Sequence, residues 1–168
     1  MNDMVQVNRV YLIILFFNRP QFLVDSNVIT MKINSSDEYP GGLTAQDFLV
    51  TSQLMAQAGI DAIEVSGNGT SRTGIRAGKN EGYFRGAAMA LASLVKVPIV
   101  VVGGFRSVEK IDNIINDTAI GYVSLSRPLV REPHLVERWQ RGDLTPSKCV
   151  SCNSCYHTPG HQCIFNLR

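Results

Sequence analysis

Four cysteines and two histidines fall within fifteen positions near the end of the chain, in CVSCNSCYHTPGHQC, residues 149–163. Cys149, Cys152 and Cys155 stand in C-x2-C-x2-C spacing, and Cys163 follows after seven more residues. That spacing matches the first three positions of the bacterial ferredoxin run, and four thiolates hold one iron–sulfur cluster. A C-x-x-C pair with more Cys or His nearby also builds a tetrahedral zinc site, with His157 or His161 replacing one thiolate. A third reading is a tail without metal, its histidines exposed beside Pro159 and Gly160.

A second set of candidates is spread along the chain: Lys32, the pair Gly103 and Gly104, and the pair Ser126 and Arg127. Each stands at the end of an apolar run. Two glycines directly after a strand let backbone N–H groups approach an anion, and a following helix N-terminus adds its dipole, a combination that favours phosphate. Arg127 on the next loop adds a charge-assisted contact of the kind that holds phosphate. The plainer alternatives are a tight turn at the glycines and a solvated Arg127. Lys32 either snorkels to water from the mouth of its strand or holds an anionic group there.

The elements that position these residues follow a regular order. Residues 28–33 (VITMKI) form a β-branched run ending at Asn34, and Thr44 with Asp47 opens a helix that closes before Gly59. The pattern repeats with a strand at 62–65, a glycine-rich loop over 66–82 and an alanine-rich helix at 83–96. PIVVV opens a third strand, Ser107 caps a helix carrying Ile111, Ile114 and Ile115 on one face, and residues 120–125 make a fourth strand. A last helix covers 134–140. Strands this apolar need cover on both faces, so parallel βαβ units are predicted, in half of a (β/α)8 barrel or in an open doubly wound sheet. Both architectures place their chemistry at the carboxyl ends of strands, where the candidates lie.

Composition limits the rest. A chain of 168 residues, 45% hydrophobic and 18% charged, suits one soluble domain, and its net charge of +2 is spread without a basic block. Nucleic acid and membrane are not expected partners. The longest apolar run, VYLIILFF at 10–17, is too short for a bilayer that needs about 20 residues, and its flanks lack the marks of a signal peptide. A cytoplasmic protein with reduced thiols is the expectation.

The motifs MKINSSD, GGLTAQDF, GIDAIEVSG, VPIVVVGGFRS and YVSLSRPLVREPHLVERWQRGD, in this order, resemble the second half of the old yellow enzyme group of NADH:flavin oxidoreductases. The likeness is to the branch that includes 2,4-dienoyl-CoA reductase, and it runs from about residue 8 to residue 163. Several motifs in register are far more specific than any one. The resemblance implies an FMN-binding (β/α)8 TIM-type barrel, of which this chain supplies strands five to eight. By that likeness Lys32 stands beside the flavin N1 and C2 carbonyl, while Gly103, Gly104, Ser126 and Arg127 hold the phosphate. It further implies hydride transfer from NAD(P)H through FMN to a small acceptor with an activated double bond, and a 4Fe-4S cluster on Cys149, Cys152, Cys155 and Cys163. The branch spaces its third and fourth cysteines more widely than this chain does.

The family's first four strands, with the substrate-binding pair and the proton-donating tyrosine of many members, have no counterpart here. The expected organisation is a helix-like apolar segment over 1–27, barrel units over 28–142 and a cysteine-rich tail over 143–168. Open strand edges call for a homo-oligomer or a complementing N-terminal half-barrel. The alternative is a non-enzymatic metal-binding or interaction module derived from such a barrel.

Overall fold

The computed structural model describes residues 28–68 and 71–167, together with the backbone of Ile13–Phe16. Its elements are β1 Ile13–Phe16, β2 Ile29–Asn34, α1 Ala45–Gln57, β3 Ala62–Ser66, α2 Arg85–Ala92, β4 Ile99–Val101, α3 Val108–Asp117, β5 Tyr122–Val123, α4 Arg127–Arg131 and α5 Leu135–Gln140. Strand order in the sheet follows the chain, with β2 to β5 parallel and β1 antiparallel at the edge. The parallel βα units expected from the alternation of strand and helix are therefore observed, in the sequential strand order of the half-barrel that the resemblance implies.

Register explains why each face has its composition. Met31, Ile63 and Ile99 align across β2, β3 and β4, and each is at most 1% exposed. Ile33, Val65 and Val101 make the next buried row, and both rows join Phe48, Ala88, Leu91 and Ile114 of the helices in one core. Each fully buried aliphatic side chain contributes about 1.5–3 kcal/mol, which outweighs a surface ion pair at about 0–1 kcal/mol, so these rows hold the sheet to its helices. The opposite face carries the aligned row Lys32, Glu64, Val100 and Tyr122, all partly or largely exposed. In a closed barrel that face is the filled interior.

Two departures from expectation have local causes. In place of a helix-like segment, Ile13–Phe16 forms a strand, its backbone pairing with the open edge of β2; the rest of 1–27 lies outside the described residues. α3 starts after Ser107 as expected, but the Ser107 side chain makes no capping bond to the helix backbone. Glu81 binds the two residues just before the helix instead. Its carboxylate accepts from the backbone N–H of Arg106, from Ser107 N at 2.9 Å and from Ser107 Oγ at 2.8 Å. A carboxylate there satisfies orphan donors and opposes the helix dipole. α1 starts as expected, with a capping box in which Asp47 N donates to Thr44 Oγ1 at 3.1 Å and Thr44 N donates to Asp47 Oδ2 at 3.0 Å.

Candidate functional site

The loops after the parallel strands converge on an open cleft. Lys32, Gly104, Ser126 and Arg127 line it together, although they come from three different βα units. Gly103 stands behind the cleft. Its carbonyl accepts from Gly82 N at 2.6 Å and Tyr83 N at 3.3 Å, and with φ +145° a side chain there would press on the Tyr83 and Phe84 backbone. The double glycine thus lets one loop lie against another as well as opening a surface to the cleft. The dipole of α3, expected to face an anion, is engaged by Glu81.

Lys32 is placed by strand register. Its Nζ lies 2.7 Å from Glu64 Oε1, on the neighbouring strand at the paired position. The two side chains are 47% and 25% exposed, so solvent screens the pair heavily. The ammonium is held over the inner face of the sheet at the floor of the cleft.

Arg106 is a cleft residue that sequence reading missed. Only 2% exposed, it donates from Nη1 to the Phe105 carbonyl at 2.7 Å, from Nε to the Cys149 carbonyl at 3.2 Å and from Nη2 to Ser151 Oγ at 2.7 Å. Arg127 is 6% exposed and donates from Nη1 to the Arg72 carbonyl at 3.0 Å and to Asn153 Oδ1. Among the described residues neither guanidinium forms an ion pair with a carboxylate. Two buried positive charges with no carboxylate in ion-pair contact, Glu81 acting on Arg106 only from a distance, make the cleft a place where an anion is stabilised. Burial pushes the Tyr83 hydroxyl above its usual pKa, against the downward pull of Arg127, Arg106 and Arg72. The signal for Arg106 was its place two residues after the double glycine.

The cysteine segment folds against the same loops. Cys149, Cys152, Cys155 and Cys163 are free thiols and line one narrow pocket, walled also by Arg127, Val130, Ile164 and Phe165. His157 and His161 are exposed and do not line it. Among the described residues no three Cys, His, Asp or Glu side chains converge on the position of a single ion. A zinc ion needs ligands at about 2.3 Å from one centre, whereas a cluster is bound by thiolates standing around its own volume. The four thiols stand around one pocket of the segment. Hydrogen bonds with Ser154, side chain first, hold the Cys152 thiol below its ordinary pKa.

No protein-family model matches the chain. It is 23% identical over 175 residues to a 4,4'-dithiodibutanoate disulfide reductase of Rhodococcus erythropolis, covering 83% of this chain and 43% of that protein. It is 26% identical over 124 residues to an NADH oxidase of Thermoanaerobacter brockii, covering 71% of this chain and 19% of the relative. Among solved structures, histamine dehydrogenase from Rhizobium sp. 4-9 superposes with a TM-score of 0.62 at 21% identity, over 71% of this chain and 18% of that one. The chain thus spans less than half the length of the curated relatives it matches. These similarities are to oxidoreductases and agree with the resemblance to the later half of old yellow enzyme group proteins. No helix among the described residues is long and apolar enough to cross a membrane.

Proposed function

We propose that this chain is the cofactor-holding half of an FMN-dependent NAD(P)H oxidoreductase, working in the cytoplasm on a small acceptor such as an activated alkene. The observation that supports this reading best is the pair of buried guanidiniums, Arg106 and Arg127, facing one cleft without a carboxylate partner. Gly104, Ser126 and Arg127 would hold the FMN phosphate, with Arg106 adding charge behind them. Bound FMN supplies hydride acceptance and donation; the protein supplies position and field. Lys32, standing over the inner sheet face, favours negative charge on a ring system seated there, and Glu64 keeps its ammonium in place.

Cys149, Cys152, Cys155 and Cys163 would carry a 4Fe-4S cluster, which supplies one-electron transfer. The exposed inner row of the sheet calls for further strands, from an N-terminal half-barrel on another chain or from a second copy.

The test is purification without oxygen, followed by absorption spectroscopy and metal analysis. A two-band flavin spectrum after incubation with FMN, weakened at least several-fold in Lys32→Ala and Arg127→Ala, is the expected result. Undiminished binding in both variants removes the cleft assignment. A colourless protein containing zinc would favour the metal-binding module.

A further inference from the structure

The cysteine segment is bound to the mouth of the sheet through side chains that also line the cleft. Ser151 and Asn153 flank Cys152, and both adopt left-handed backbone, at φ +57° and +64°. Asparagine tolerates that conformation better than serine, which takes it up at a cost and needs a partner to stay there. Each residue has a buried one: Arg106 Nη2 donates to Ser151 Oγ at 2.7 Å, and Arg127 Nη1 donates to Asn153 Oδ1. The two guanidiniums therefore fix the path of the chain on both sides of Cys152.

The same segment reaches the loop after β3. Asn153 Nδ2 donates to the Ser71 carbonyl, and the Ser71 and Tyr156 hydroxyls are 2.6 Å apart. Arg127 Nη1 closes the circuit on the Arg72 carbonyl at 3.0 Å. Ser71 and Tyr156 are both walls of the cleft, and Arg127 is a wall of the cleft and of the cysteine cavity. Among the described residues the segment has only two short 3-10 turns, Ser154–His157 and Pro159–His161, so its shape depends on these anchors.

We propose that the cleft and the cysteine cavity form one cooperative unit, locked by Arg106, Arg127 and Asn153, so that a change at the thiols alters the wall of the cleft. This deepens the proposed function in taking both cavities as sites. Linkage makes the effect reciprocal: whatever the thiols bind preorganises Ser71 and Tyr156, and an anion held by Arg127 steadies the cysteine path. Arg106 and Asn153 act here as positioning residues: Arg106 works through the Cys149 carbonyl and Ser151, and Asn153 through Arg127 and the Ser71 carbonyl.

The experiment is hydrogen exchange read by mass spectrometry on the full chain, before and after carbamidomethylation of its four thiols. The expected result is exchange over residues 71–76 faster by several-fold after modification, with α1 unchanged. Exchange that rises only within 149–163 overturns the inference. Asn153→Ala, with thiols intact, is expected to raise exchange at 71–76 in the same way and to leave little further response to modification. If modification also loosens α1, that variant decides by the same criterion. FMN binding is titrated separately, so failure to bind flavin removes the proposed function while the exchange result still decides the coupling.

Discussion

Arg106 and Ser151 are joined by a hydrogen bond of 2.7 Å between two buried side chains that lie 45 residues apart. The guanidinium belongs to the loop before α3 and the hydroxyl to the cysteine segment, so the bond spans the seam between sheet and tail. The same guanidinium reaches the Cys149 carbonyl. One side chain thus serves two residues of a stretch that no regular element supports.

Arg106→Met keeps much of the volume and leaves the Ser151 hydroxyl and the Cys149 carbonyl without this donor. A buried group left unsatisfied costs about 1–3 kcal/mol, and the urea midpoint is expected to fall accordingly. Limited proteolysis should cut between 141 and 167 sooner than in the parent chain. Arg106→Lys should recover little, because one ammonium cannot reproduce the guanidinium fork.

Gly104→Ala meets two obstacles at once. The backbone sits at φ +79°, and an added Cβ would lie 2.7 Å from Tyr83 Cε1 and 3.1 Å from Ile75 Cγ2. Left-handed strain and overpacking each cost about 1–3 kcal/mol, so thermal unfolding should move clearly downward. Gly142→Ala is the control, since its φ is +95° but nothing lies within 4 Å of the new atom. It should lose only the backbone share.

Glu64→Gln separates the pairing of Lys32 from its charge. The pair is partly exposed, so its loss should shift stability by less than about 1 kcal/mol in a urea titration. The ammonium then lacks its neutralising carboxylate, and FMN should bind a few-fold more tightly at low salt. Added salt should shrink that difference, as screening predicts.

The capping box of α1 gives a pH dependence. The Thr44 side chain, and then its backbone N–H, hold the Asp47 carboxylate below the ordinary value of 3.8. A lowered folded-state pKa contributes stability above that value, which is lost as pH falls through the folded-state pKa, because the unfolded chain takes up the proton first. Acid unfolding followed by circular dichroism should therefore show Asp47→Asn with a flatter dependence on pH below 3.8 than the parent chain.

What the sequence made legible was local. Thr44 and Asp47 are three residues apart, so their capping box was visible as a pattern, and the buried rows of β2, β3 and β4 appear as β-branched runs. α4 escaped because its five residues, with Pro128 in the first turn, show no helical period. The cap supplied by Glu81 escaped because its donors are 25 and 26 residues away. Arg106 carried only its place two residues after the double glycine, and Asn153 and Tyr156 looked like spacers between cysteines. Their partners at Ser71 lie more than 80 residues back, and no local pattern encodes a contact of that span.

The edge strand β1 has a consequence for assembly. From Ile13 opposite Lys32 to Phe16 opposite Ile29, the chain's own backbone occupies the flank where a closed ring would receive its preceding parallel member. Completing the ring there is an exchange: four residues must peel away before an incoming strand zips on. If the proposed half-barrel adds at this edge, the peeling step sets a ceiling, so the assembly rate should level off with rising partner concentration where simple docking would keep climbing.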